Sequence, residues 1–268
     1  MLLTLNRMRA GRYVLYTIGI LTALFFLLPI VAIVVLSFGS SRWMQFPPPG
    51  WTMRWYNEVA ADPRWLDAFA TSAQIAAVVT ILSVTFGLGA ALALVRGQFR
   101  GKNLINGLFV SPMMVPVVIS AVALYIVSLR VGLNGTFAGY VAGHLILALP
   151  FSVISLVNAL SAFDVSIEKA AIICGASPTT AFRRVTIPAI SGGLATAAIF
   201  SFLISWDEVV ISTFMSSASL RTLPILMWTS VHQDLSPVIA AVSTILICIT
   251  LVVVVAFQLF QRNDRNED

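Results

Sequence analysis

The chain has 268 residues, 59% hydrophobic and only 10% charged, with a mean hydropathy of +0.94 and a formal net charge of +5. An ordinary soluble domain is about 25% charged, and 16 basic plus 11 acidic side chains cannot cover the surface of a soluble fold of this length. A soluble globular domain is therefore excluded, and so is a nucleic-acid binder, because no polar domain exists on which the Lys and Arg could cluster.

Six runs without Asp, Glu, Lys or Arg follow one another: 13–41, 68–95, 103–129, 131–163, 185–206 and 235–261. Each exceeds the roughly 20 residues needed to cross a bilayer's hydrocarbon core. They predict one all-α integral membrane domain over 1–268, with transmembrane helices near 13–38, 68–95, 103–129, 136–160, 185–207 and 236–260. The first run is far longer than a signal-peptide core of about 7 to 15 residues, so it is expected to remain as a span.

In the second span Gly87 and Ala91 supply small-residue spacing for close helix approach. The GQFRGK stretch after it, Gly97 to Lys102, has one residue too few between its glycines for a phosphate loop. It also lacks the following Ser or Thr and a preceding strand, so the chain is not expected to bind ATP. Ser111, Pro112 and Pro116 interrupt the third span and Pro150 the fourth. Proline at membrane depth is tolerated where protein or a water-lined cavity replaces the lost hydrogen bond, so Pro112 and Pro116 either line a pathway or simply kink a helix. The fourth span also carries Gly139 and Gly143 as a GxxxG pair, expected to serve helix packing, beside His144. A lone histidine there is more often an interhelical hydrogen-bonding group than a proton relay.

Residues 164–184 form the longest cytoplasmic connection under the orientation argued below. Asp164 or Ser166 can cap a short helix with Ile167, Ala170, Ala171 and Cys174 along one face, and Gly175 stops it. Ser177 then caps a second short helix opened by Pro178 and carrying Phe182, Arg183 and Arg184. Partner docking and lying on the lipid surface both fit this pattern.

Trp206, Asp207 and Glu208 end the fifth span. They either meet a cationic substrate, through carboxylates and an indole face, or anchor the helix at headgroup depth. The run 209–220 is too short to span and is expected to be re-entrant or superficial. Cys174 and Cys248 lie too far apart in sequence to suggest a disulfide scaffold or thiolate metal site, and no catalytic or metal-ligand motif is present. The spans hold almost no ionisable groups, so an energy source is expected on another chain.

Arg7, Arg9, Arg12, Arg96, Arg100, Lys102, Lys169, Arg183, Arg184, Arg262 and Arg265 fall on one side of this topology, against Arg42, Arg54, Arg64, Arg130 and Arg221 on the other. Positive-inside logic places both termini in the cytoplasm.

The stretch EKAAIICGASPTTAFRRVTIP, Glu168 to Pro188, resembles the EAA loop of ABC importer permeases, with Ala170, Ala171, Gly175, Val185, Ile187 and Pro188 on its pattern. Lys169 stands where that pattern has its glutamate, and Glu168 lies one residue earlier, about 100° around the helix. The resemblance covers nearly the whole chain. Ser37-Phe38, Trp55-Tyr56, SWDEVVISTF at 205–214, TLP at 222–224 and SPVIAAVST at 236–244 look like the spermidine/putrescine branch. Permeases for amino-acid derivatives such as opines or GABA, and some for inorganic ions, share much of the pattern.

The resemblance implies a type I ABC importer permease fold in a bacterial cytoplasmic membrane, with a coupling helix that docks on an ATPase. Glu168, Lys169, Ala170, Ala171, Gly175, Ala176, Ser177 and Arg183 are the expected coupling residues. Trp206, Asp207, Glu208, Pro112 and Pro116 are the expected substrate path. Implied partners are an ABC ATPase dimer holding ATP and Mg, a second homologous permease, an extracytoplasmic substrate-binding protein and membrane lipid. No cofactor or metal is expected on this chain. A stand-alone channel or scaffold is the alternative from another class, and it would function without an ATPase.

Overall fold

The computed structural model describes residues 9–217, 219–233 and 236–264. Arg7 and Arg265, counted above in the charge balance, lie outside the described residues. Among the described residues there is no strand, and one isolated bridge joins Gly39 to Trp51. The chain divides into two compact units, Met1–Asp62 with Ser230–Cys248, and Pro63–Thr229 with Ile249–Asp268.

In the first unit α1 (Arg9–Ser37) presents apolar side chains from Tyr13 to Leu28 to its surroundings, as a lipid-facing span does. Its end is fastened by the two short pairs singled out in sequence. The Ser37 hydroxyl lies 2.6 Å from Tyr56 Oη, and the Trp55 indole N–H donates to the Gly39 carbonyl at 2.6 Å. The Phe38 and Tyr56 rings pack at 5.1 Å. Trp55 and Val59 are the buried residues of α2 (Arg54–Ala61).

The second unit is built on α3 (Pro63–Arg96), α6 (Phe137–Ala162) and α10 (Ser191–Trp206), which pack on one another. Ile75, Val79, Tyr140, Ala148, Ile211 and Met215 form one apolar cluster, and Ala91, Leu156, Leu160, Ile190 and Ala197 form a second. Ser83, Ser152 and Ser201, all fully buried, close a ring of hydroxyl hydrogen bonds of 2.8 to 3.0 Å that joins the three helices. Each hydroxyl gives and accepts one bond, which leaves no polar atom of the ring unsatisfied in an apolar core. Gly87 makes room beside this ring: a Cβ there would stand 2.8 Å from the Ser152 Cβ. The GxxxG pair divides its roles, since a Cβ on Gly143 would meet Ile211, whereas Gly139 lies against the Leu133 carbonyl of its own entry loop.

Four helices in the described residues are long and apolar enough to cross a membrane, and two bent pairs make six when each pair counts as one span. The first pair is Lys102–Met113 with Val117–Arg130, bent by 99°. It comprises α4 (Lys102–Val110), a tight 3-10 turn (Ser111–Met113) with Pro112, and α5 (Val117–Arg130), capped by Pro116. The second is Pro178–Ala189 with Ser191–Trp206, bent by 68°. Pro150 does not interrupt its span: α6 runs through it, because proline removes a single hydrogen bond and the turns on either side remain intact. The 209–220 run forms α11 (Val210–Met215), which buries Ile211, Ser212 and Met215 and packs on α5 and α6.

Candidate functional site

The loop after α6 is ordered by local chemistry at each of its corners. The Asp164 side chain accepts from the Ser166 N–H at 2.9 Å and opens α7 (Val165–Ile173). At its end, Gly175 adopts φ +97°, a left-handed conformation that glycine enters without steric cost. The Gly175 N–H then donates to the Ile172 carbonyl and the Ala176 N–H to the Ala171 carbonyl, both at 3.0 Å. These two bonds make a Schellman motif and satisfy carbonyls the helix leaves free. Ser177 accepts from the Thr180 N–H at 3.2 Å, and Pro178 begins α8 (Pro178–Ala181). A π-helical turn (Phe182–Thr186) and α9 (Ile187–Ala189) lead on to α10.

The burial of α7 is inverted relative to an ordinary amphipathic helix. Its one buried residue is Glu168, whereas Val165, Ile167, Ile172 and Ile173 are exposed, Ile173 to 86%. Lys169, Ala170, Gly175, Ser177 and Arg183 are exposed as well, and Ala171 and Ala176 are half-buried. Thr179, Thr180, Arg183 and Arg184 line a polar cavity of about 420 Å³ beside this surface.

Glu168 points into the protein. Its Oε1 accepts from Arg96 Nη1 at 3.2 Å and its Oε2 from Arg96 Nη2 at 2.6 Å. The Thr186 hydroxyl donates to the same Oε2. The Arg96 hydrogen bonds hold the Glu168 carboxyl below the usual carboxylate range, against the opposing effect of burial. Arg96 also stands 6.0 Å from the Phe182 ring centroid. Sequence reading missed this cluster, since Arg96 and Thr186 are 72 and 18 residues from Glu168. The available signal was an arginine at the last position of a span.

At the other end of α10 the three expected path residues have different surroundings. Asp207 is exposed. Trp206 is buried, stacked on Phe202 at 5.5 Å, and its indole N–H meets no acceptor among the described residues. Glu208 is turned inward, where its two oxygens accept from the Ile211 and Ser212 N–H groups, each at 2.9 Å. It thereby serves the first turn of α11. Beside it His144 bridges α10 and α11, with Nδ1 2.9 Å from the Ser205 hydroxyl and Nε2 3.0 Å from the Ser212 hydroxyl. Pro112 is half-buried in its tight turn and Pro116 exposed at the break before α5.

Residues 83–265 match the family described as binding-protein-dependent transport system inner membrane component. The chain is 32% identical over 251 residues to the spermidine/putrescine transport system permease protein PotC of Escherichia coli K12, covering 91% of this chain and 93% of that protein. It is 29% identical to the putrescine transport system permease protein PotI of the same strain, covering 88% and 87%. A chain from the crystal structure of a bacterial ABC transporter involved in the import of the acidic polysaccharide alginate superposes with a TM-score of 0.71 at 18% identity, over 95% of this chain and 98% of that one.

Proposed function

Since the chain belongs to the family of binding-protein-dependent transport system inner membrane components, we propose that it is a permease subunit of an ATP-driven importer whose cargo is a small polyamine such as putrescine or spermidine. The observation that carries the substrate class is the 32% identity to a spermidine/putrescine permease over nearly the full length of both chains. The fold does not decide the cargo, because the alginate importer shares it.

In this reading the chain is a multi-pass protein of a bacterial cytoplasmic membrane with both termini in the cytoplasm, pairs with a second permease and carries no ATP itself. ATP and Mg belong to an ATPase pair that docks on the exposed surface of α7, whose Val165, Ile167, Ile172 and Ile173 have no reason to face water. Lys169, Ala170 and Ala171 lie on that helix, while Gly175, Ala176 and Ser177 set the turn that follows it. Arg183 lines the polar cavity alongside. A substrate-binding protein delivers the cargo on the opposite side. Closure of the ATPase pair displaces the loop and rocks the helices between inward and outward openings. Asp207 is the carboxylate available to an ammonium group on the path, whereas Glu208 is committed to α11.

The test is uptake of labelled putrescine and spermidine by intact cells with and without the gene. Loss of uptake on deletion is expected. Unchanged uptake of both would remove the polyamines as cargo.

A further inference from the structure

We propose that Arg96, Glu168 and Thr186 form an internal clamp that ties the loop bearing α7 to the C-terminal end of α3, making Arg96 and Glu168 positioning residues for coupling rather than docking contacts. The inference rests on the importer reading above, in that it names how the motion of the loop is passed on.

The loop is continuous in sequence with α10, so any displacement of it reaches that helix through the backbone. It reaches α3 only across space. The directional contact available is the carboxylate of Glu168, the one side chain of α7 that is buried, held at both oxygens by the guanidinium of Arg96. Two parallel charge-assisted hydrogen bonds fix orientation as well as distance, which a single point contact does not. Thr186 adds a third strand to the clamp from the π-helical turn, so α3, α7 and the segment leading to α10 meet at one carboxylate. Such a turn interrupts the regular helical ladder and is frequent at functional sites. Farther along, α3 and α10 are already joined by Ser83, Ser152 and Ser201. The backbone ties the loop to α6 and α10, and the clamp adds the C-terminal end of α3, so that all three move together where a loop without the clamp would let that end of α3 lag.

The importer is reconstituted in lipid vesicles as the full assembly, with Glu168→Gln, Arg96→Gln and the reversed pair Arg96→Glu/Glu168→Arg. The expected result is that each single variant retains the ATPase subunits and hydrolyses ATP, but imports about tenfold less putrescine per ATP, and that the reversed pair recovers most of the loss. Import per ATP unchanged in the single variants would overturn the clamp. So would loss of the ATPase subunits from Glu168→Gln without recovery in the reversed pair, which would make Glu168 a docking contact.

A second measurement needs neither ATPase nor polyamine, and so separates failure of the clamp from failure of the importer reading. Spin labels on Ala93→Cys and on native Cys174, in a Cys248→Ser background, report the distance from α3 to the loop in the purified full chain. The distribution is expected to be narrow in that background and to broaden with Glu168→Gln. An unchanged distribution would overturn the proposal.

Discussion

Glu208 Oε2 lies 3.8 Å from His144 Nε2, and Ser212 joins the two. Its backbone N–H donates to the carboxylate at 2.9 Å, while its hydroxyl lies 3.0 Å from the imidazole. With Ser205 on the other ring nitrogen, one histidine on α6 locates the end of α10 and the start of α11. The turn that carries Trp206 and Asp207 therefore has a polar framework inside an apolar bundle, where every unpaired group is costly.

Replacing His144 by Ala should leave the hydroxyls of Ser205 and Ser212 without their shared partner and open a cavity. An orphaned buried polar group costs about 1 to 3 kcal/mol, so the thermal midpoint of the purified protein should fall. A midpoint equal to that of the unaltered protein would mean that the imidazole is not a structural bridge.

Asp207→Asn and Glu208→Gln should fail in different ways. The first removes an exposed charge and is expected to lower putrescine uptake with the protein's abundance and thermal midpoint unchanged. The second leaves one carbonyl oxygen where two carboxylate oxygens now hold the Ile211 and Ser212 amides, so it should destabilise by about 1 to 3 kcal/mol. Uptake together with melting curves separates the two. Normal uptake in Asp207→Asn would remove this carboxylate from the substrate path.

The parts of the fold that depend on neighbours in sequence were legible, and those that depend on distant partners were not. Charge-free runs marked the apolar segments, and Asp164, Gly175 and Ser177-Pro178 announced the corners of the loop because capping is local chemistry. Pro112 and Pro116 indicated a break in the third span, yet nothing in their spacing contains the 99° bend. Pro150 carries the same chemical signal and does not break α6. The inward turn of Glu168 was hidden for a similar reason, whereas that of Glu208 rests on donors only three and four residues on and was open to a capping argument. A carboxylate's direction is set by its donors, and Arg96 comes from another helix. The serine ring was invisible too, since Ser83, Ser152 and Ser201 share no motif.

Two glycines on α3 should respond oppositely to alanine. A Cβ on Gly87 would stand 2.8 Å from the Ser152 Cβ and force α3 and α6 apart at the serine ring, whereas Gly89 has nothing within 4 Å. Overpacking of this kind costs about 1 to 3 kcal/mol. In Gly89→Ala, by contrast, the better helix propensity should hold or raise stability. Thermal midpoints of the two variants test this, and equal values would show that the approach of α3 to α6 is not tight.

Gly175 offers the sharpest test of the loop's geometry, because space and backbone conformation can be separated there. Nothing lies within 4 Å of where its Cβ would be, so a substitution meets no neighbour and its steric cost comes from the left-handed φ of +97°. That conformation costs a residue with a Cβ about 1 to 2 kcal/mol. Asparagine and aspartate both tolerate it better than most side chains, so the two differ here in charge. Aspartate adds a negative charge next to the C-terminal carbonyls of α7, unfavourable by about 0.3 to 1 kcal/mol. Gly175→Asp is therefore expected to loosen the Schellman turn, shift the orientation of the segment from Ser177 onward and reduce import per ATP, while Gly175→Asn keeps most of it. Import by the reconstituted assembly, with ATP hydrolysis recorded in the same vesicles, reads the difference. Full coupling in Gly175→Asp would show that the turn after α7 need not be rigid, and would move the requirement for rigidity onto α7 itself.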